Sequence, residues 1–318
     1  MNQILDIVVP VFGLIAIGYA IAWTRLLPAE TGEHLADFVF AVAIPVLIFR
    51  TIAAADFSGA SPWLIWLPFF GVFGLMWIVG AVLVRKLFGR DARAGLVAGV
   101  SAAYGNTVLV GIPLTLAAFG EAGAVAIALI VAVHLPVTMA ASAILIERAE
   151  RQDGVAGADA DARAKAKAVV FSLVRNPIIV GIVIGGLWRL LGLSLGGVPG
   201  ILVDRIAEVA ATIALLALGM SLRKYGLRGN VSAGLVLCGL KLVVMPAIVL
   251  VLVRYVVPMP PLWAKVVVVA AACPTGVNAY LVAARFKTGE GLASNAITIS
   301  TAFAVVTITV WLSIVQAL

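Results

Sequence analysis

The sequence predicts an all-α polytopic membrane protein of ten transmembrane helices, arranged as two inverted five-helix repeats. Three observations carry that prediction. Of the 318 residues, 63% are hydrophobic and only 12% charged, and the mean hydropathy is +1.16; soluble domains carry roughly 45–50% apolar and about 25% charged residues. Apolar stretches of about 20 residues, enough for a hydrocarbon core of roughly 30 Å, recur from end to end. Two of these stretches, each fourth in its half, are interrupted by glycine, proline and asparagine.

Taken in order, the spans fall near 4–24, 34–55, 62–84, 94–118, 122–146, 169–192, 199–222, 231–255, 262–285 and 290–317. The first, "MNQILDIVVPVFGLIAIGYAIAW", lacks the basic n-region and small-residue cleavage site of a signal peptide and reads as a retained helix. Between the fifth and sixth lies the one sizeable loop, 147–168, "ERAERQDGVAGADADARAKAKA", charged and alanine-rich, which separates a first repeat (1–146) from a second (169–318). Cys238 and Cys273 both fall in apolar spans, so neither a disulfide framework nor a metal motif is available.

The formal charge of +7 has a topological explanation that needs no nucleic-acid partner. With ten spans, alternate connections share a face, and sixteen of the Lys and Arg residues collect on one of them, among them Arg25, Arg85, Lys86, Arg90, Arg93, Arg223 and Lys224. The positive-inside rule puts that face in the cytoplasm and both termini outside an inner membrane. Five odd helices per half force the second copy upside down. Pro10 and Gly18 match Pro177 and Gly185 at an offset of 167, and Asn106 matches Asn278 at 172. Inverted repeats with a site where discontinuous helices meet are a hallmark of secondary transporters.

The interruptions read "SAAYGNTVLVGIPL" (101–114) and "VAAACPTGVNAYLVA" (269–283). Unpaired backbone groups in hydrocarbon cost several kcal/mol each, so such breaks persist only where protein or a cavity satisfies them. Gly105 and Pro113 loosen the fourth span, and Pro274 and Gly276 the ninth. A single break is usually a kink; two at matched positions point to a site. If they cross, half-helix N-termini converge and favour an anion. Asn106 and Asn278 would supply neutral donors, Thr107 and Thr275 hydroxyls, and Tyr104 and Tyr280 either aromatic walls or ordinary packing.

Two ionisable residues lie deep in spans, where each is a functional candidate by default: Lys241 in "CGLKLVVMP" and His134 in "VAVHLPV". No carboxylate falls at mid-depth. Lys241 is either a direct substrate contact or a tie that holds unwound carbonyls as a built-in substitute for a bound sodium ion. His134 is either a polar helix–helix contact or a proton relay.

The motifs "YGNTVLVGIPL" and "CPTGVNAYLVAARF", with "FVFAVAIPVLIFR", "RNPIIVGIVIGG", "LLALGMSL" and "KLVVMP", make the chain resemble the auxin efflux carrier family, which includes plant PIN-type carriers and bacterial malate or malonate permease-like proteins. The resemblance implies a fold shared with bile-acid symporters and Na⁺/H⁺ antiporters, with a crossover of broken helices 4 and 9. It implies a scaffold of helices 1, 2, 6 and 7 that forms a homodimer, and a transport unit of helices 3–5 and 8–10 that moves like an elevator. The family's crossover prolines and asparagines fall on Pro113, Pro274, Asn106 and Asn278. No cofactor is implied.

The expectation is therefore a secondary transporter of small organic anions, auxin-like or dicarboxylate. A Na⁺- or H⁺-coupled symporter or antiporter of the same fold would require mid-depth carboxylates. A non-transporting sensor would require an attached signalling domain, and an enzyme a catalytic constellation that the spans lack.

Overall fold

The computed structural model describes residues 2–54, 61–154, 175–227, 229 and 231–318. The described residues are helical: α1 (Asn2–Thr24), α2 (Thr31–Ala54), α3 (Trp63–Phe88), α4 (Ala92–Ala103), α5 (107–119), α6 (121–152), α7 (Pro177–Leu190), α8 (Gly197–Tyr225), α9 (Val231–Tyr255), α10 (Pro261–Ala272), α11 (Asn278–Arg285) and α12 (Glu290–Gln316). Helices α5 and α6 form one run that turns at Gly120 (φ 64°, ψ −160°), a backbone state open to glycine. By length and composition, six helical stretches among the described residues can cross a membrane: α1, α2, α3, the α5–α6 run, α9 and α12; α4, α7 and α10 are shorter apolar helices.

Most boundaries fall within a few residues of the sequence reading, and two stand out. The fifth span was expected to end at 146, but α6 continues as helix through Gln152, where Glu147 and Arg151 pair one turn apart at 2.9 Å. The expected loop 147–168 thus begins as helix, and its residues 155–168 lie outside the described residues, as do 169–174 of the sixth span. The sixth helix is described from Pro177, with Asn176 as its N-cap accepting from Ile178 N–H at 2.9 Å.

Three helices widen into a π turn, and each widening ends at an Xaa-Pro step. Val39–Ala43 precedes Ile44-Pro45, Thr107–Gly111 precedes Ile112-Pro113, and Leu240–Val244 precedes Met245-Pro246. A proline has no N–H to give and its ring clashes with the carbonyl four residues back, so the turn before it opens. In α9 that carbonyl belongs to Leu242, and the indole Nε1–H of Trp311 donates to it at 2.8 Å.

Contacts divide the chain into two compact units. Unit 1 comprises residues 1–62, 107–132 and 173–224, and unit 2 residues 63–106, 133–172 and 225–318. In unit 1, glycines let helices meet backbone to backbone. A Cβ on Gly18 would run into Leu216 of α8, one on Gly219 into Ile15 of α1, and one on Gly181 into Pro45 of α2. Arg50 of α2 pairs with Glu121 and, at 3.5 Å, with Asp204 of α8, while Thr51 donates to Glu121 at 3.1 Å.

Unit 2 is held by an alanine seam, Ala94, Ala98 and Ala102 of α4 meeting Val84, Ala233, Leu237, Leu292 and Ala296. The N-terminus of α4 is capped twice. Asp91 accepts from Ala94 N–H at 2.7 Å, and the Asp153 carboxylate accepts from Ala92 N–H and Arg93 N–H at 3.0 Å and from Arg93 Nε at 3.1 Å. Burial works to raise the Asp153 pKa, but those backbone donors and the Arg93 guanidinium outweigh it and hold the carboxyl below the usual carboxylate range.

Two outcomes follow for stability. Gly219→Ala should cost about 1–3 kcal/mol, the usual penalty of overpacking, whereas Gly13→Ala, with nothing within 4 Å of the added methyl, should leave the melting temperature in detergent unchanged or higher. Asp153 has a depressed folded pKa, so its stabilisation is full above the unfolded value of about 3.9 and is lost as pH falls through the lower folded value. The melting difference between wild type and Asp153→Asn should be present at pH 7 and vanish in that acid range.

Candidate functional site

The site is built where unit 2 brings two interrupted helices side by side. Helix α4 ends at Ala103, and Tyr104 is extended (φ −74°, ψ 112°). Helix α10 ends at Ala272, and Cys273 is extended (φ −58°, ψ 143°). The two exposed backbones then pair antiparallel, with Gly105 opposite Thr275. Asn106 N–H donates to Pro274 O at 2.7 Å, and Gly276 N–H donates to Tyr104 O at 2.9 Å. Pro274 gives no N–H to the pairing; it uses only its carbonyl.

Side chains satisfy the groups that this short pairing leaves over. The Thr275 hydroxyl donates to Ser101 O at 2.9 Å, one of the open carbonyls in the last turn of α4. Thr275 N–H donates to the Ser300 hydroxyl of α12 at 2.9 Å. In the last turn of α10, Cys273 N–H reaches Ala270 O at 3.4 Å, and the Lys241 ammonium donates to Ala271 O. Lys241 lies in the π turn of α9, fully buried, with the Met245 sulfur at 3.4 Å as a second acceptor. The sequence left Lys241 open to two roles, substrate contact or tie, and this contact to a helix-end carbonyl is compatible with both.

Two glycines make room. A Cβ on Gly105 would lie 3.2 Å from Lys241 Nζ, and one on Gly276 would lie 2.6 Å from a Tyr104 ring carbon. The Tyr104 ring therefore covers the α10–α11 break. Its hydroxyl accepts from Asn278 Nδ2 at 2.8 Å, and its face stacks on His134 at 4.2 Å and 25°. Phe69, Phe70 and Phe73 of α3 set ring edges around the same imidazole at 5.3, 6.1 and 5.3 Å.

Of the residues singled out in the sequence, Tyr104, Gly105, Asn106, Pro274, Thr275, Gly276, Asn278, Lys241 and His134 are therefore brought together in unit 2. Tyr280 is placed elsewhere, edge-on to Tyr225 at 5.1 Å. Thr107 and Pro113 belong to unit 1, where both are buried, Thr107 opening the π turn and Pro113 following it in α5. Sequence reasoning missed Ser101 and Ser300. Each also bonds a carbonyl of its own helix, Val97 at 2.8 Å and Ile297 at 3.4 Å, the common habit of serine in apolar helices. The visible signal was the polar run "SNAITIST" in an otherwise apolar α12.

The family model described as "Membrane transport protein" matches residues 3–312, nearly the whole chain. The chain belongs to this family, that of the auxin efflux carriers. It is thus a multi-pass membrane transport protein and not an enzyme. Among its relatives in the auxin efflux carrier family is a Rhizobium meliloti (strain 1021) protein bearing the name "Putative malonate transporter", 26% identical over 329 residues that cover 100% of this chain and 97% of that one. An "Uncharacterized transporter" of Methanothermobacter thermautotrophicus is 26% identical over 312 residues, 96% of each chain.

The contribution of α12 can be measured. Ser300→Ala leaves the buried Thr275 N–H without an acceptor and should cost about 1–3 kcal/mol, read as a lowered melting temperature, while Ser300→Thr keeps the acceptor and should recover most of it. Thr298→Ala, two residues away with only a 3.4 Å bond to Gly226 O, should change little.

Proposed function

We propose that this protein is a secondary transporter of small organic anions, with short dicarboxylates of the malonate type as the first substrates to test. The observation that carries the reading is Lys241. It is fully buried beside the paired interruptions, and no Asp or Glu is buried among the described residues. A cation without an acidic partner suits an anionic cargo and does not suit a sodium cage. The N-terminus of α11 begins at the same place, and helix N-termini favour negative charge. Asn106, in the pairing, and Asn278, at the start of α11, bring neutral amide groups to the same place, and the name of the Rhizobium relative agrees with a dicarboxylate.

The mechanism proposed is elevator-type alternating access on a ten-helix inverted repeat, with the pairing of 104–106 and 274–276 as its crossover. Helices 1, 2, 6 and 7 of that scheme fall in unit 1, and helices 3 and 8–10 fall in unit 2, which supports two bodies; the fourth and fifth are shared between them. The crossover travels with its anion while the scaffold, as a homodimer, stays in the inner membrane with both termini outside. Moving one charge through about 100 mV is worth roughly 2.3 kcal/mol, so a monovalent anion leaves a negative-inside cell on the potential alone. Dicarboxylate uptake requires a coupled ion.

Proteoliposomes loaded with malonate test this directly. Asn278→Ala and Lys241→Met should each lower malonate flux by about tenfold or more, a loss of about 1.4 kcal/mol, while Arg254→Gln leaves it intact. Wild-type flux in both substituted proteins would refute the anion site.

A further inference from the structure

Unit 1 contains a cavity of about 810 Å³ that plays no part in the proposed transport path. It lies where α1 ends, along the connection to α2 and against the last turn of α8. Its wall carries three cations, Arg25, Arg223 and Lys224, and two carboxylates, Glu30 and Glu33. Two of the cations are engaged. Arg223 donates to the carbonyls of Ala22 and Trp23, and Lys224 pairs with Glu33 at 2.5 Å. Arg25 makes no hydrogen bond or ion pair among the described residues.

Arg25 is also strained. Its φ is +57°, the left-handed state that an L side chain resists. The strain comes from the way α1 stops: Leu26 N–H reaches back to Ile21 O at 3.3 Å, the helix-ending bond that normally follows a left-handed glycine. Helix α7 ends in the same manner and does use glycine, Gly192 at φ +64°, with Leu193 N–H on Trp188 O. Sequence therefore had the easier residue available and placed a guanidinium at the cavity wall. Held non-glycine backbone of this kind is a pointer to function.

What flanks the cavity names the ligand. Trp23 is 69% exposed and Leu26 74%, with Leu27 also open, so an apolar strip runs beside the basic wall. Tryptophan at the end of an apolar helix sits at headgroup depth. A molecule with a phosphate for Arg25 and acyl chains for Trp23, Leu26 and Leu27 matches both halves of the surface, and guanidinium recognises phosphate with two parallel bonds. We propose that this cavity is a binding site for the headgroup of an anionic phospholipid, with Arg25 as its phosphate ligand.

The test uses the full chain in a neutral detergent. Melting temperature is followed on adding phosphatidylglycerol, phosphatidylcholine with the same chains, or soluble glycerol phosphate. Phosphatidylglycerol should raise it, and the other two should raise it by less than half as much. In Arg25→Gln the phosphatidylglycerol increment should fall to half or less. Arg25→Gly should melt higher than wild type without lipid, because the strain is relieved, and still lose the increment. Arg254→Gln, a basic residue far along the chain, should keep it. An increment equal for phosphatidylcholine, retained in both Arg25 variants, or lost equally in Arg254→Gln overturns the site. A full shift with glycerol phosphate assigns the cavity to a soluble anion and overturns the lipid. None of these readouts involves transport, so they stand or fall apart from the anion-carrier reading.

Discussion

Every feature of the site follows from one constraint: inside hydrocarbon, a backbone N–H or C=O without a partner costs several kcal/mol. Two helices stop in the interior of the fold, and each stop opens the last carbonyls of one helix and the first N–H groups of the next. Here the two stops satisfy each other. Asn106 N–H meets Pro274 O, Gly276 N–H meets Tyr104 O, and the leftover Ser101 carbonyl, Thr275 N–H and Ala271 carbonyl go to the Thr275 hydroxyl, the Ser300 hydroxyl and the Lys241 ammonium. Neither interruption would persist alone, because each supplies the other's partners. The pairing is two hydrogen bonds long, and its side-chain supports come from Thr275 itself, from α9 and from α12.

The residue types at the pairing follow from its tightness. Glycine stands at 105 and 276 because Lys241 and Tyr104 occupy the space a Cβ would take. Proline stands at 274 because that residue is asked only for its carbonyl. Proline at 246 does its work at a distance. It opens the π turn that contains Lys241, and the Leu242 carbonyl it leaves without an N–H four residues on is taken by Trp311. An alanine seam lets α3, α4, α9 and α12 approach closely around this polar centre, much as glycine does for α1 with α8 in unit 1.

Composition and hydrophobic run length were enough to predict an all-helical membrane chain, because a bilayer demands long apolar segments and the chain supplies them with clear polar breaks. The interruptions were equally visible, since "YGN" and "CPTGVN" put breakers where a helix should continue. Supporting residues were hidden. Ser300 and Ser101 look like any serine that bonds its own helix, and only the tertiary arrangement shows that the second lone pair or the carbonyl is used elsewhere. Tyr104 and Tyr280 each stand two residues from the asparagine of an interruption, yet one covers the break and the other packs on Tyr225. Nothing in residue type separates them. The end of α6 was misplaced because Glu147 and Arg151 read as loop charge, although at a spacing of four they also support helix.

The electrostatics of Lys241 resolve a puzzle that the sequence raises. An ammonium buried without a carboxylate should be prohibitively costly, and no carboxylate among the described residues is buried. Its acceptor, however, is Ala271 O, in the last turn of α10, where the helix macrodipole places about half a negative charge. The counter-charge is the end of a helix rather than an acid. Such a partner is fixed in backbone and has no proton to gain, so it holds the ammonium without neutralising it fully. The first turn of α11, a few residues on, contributes a partial positive charge of similar size. One whole positive charge, offset by about half at each of the ends of α10 and α4 and reinforced by about half at the start of α11, leaves the pairing net positive. A carboxylate on α9 or α10 would cancel that field; a helix end supports the lysine and leaves the field in place.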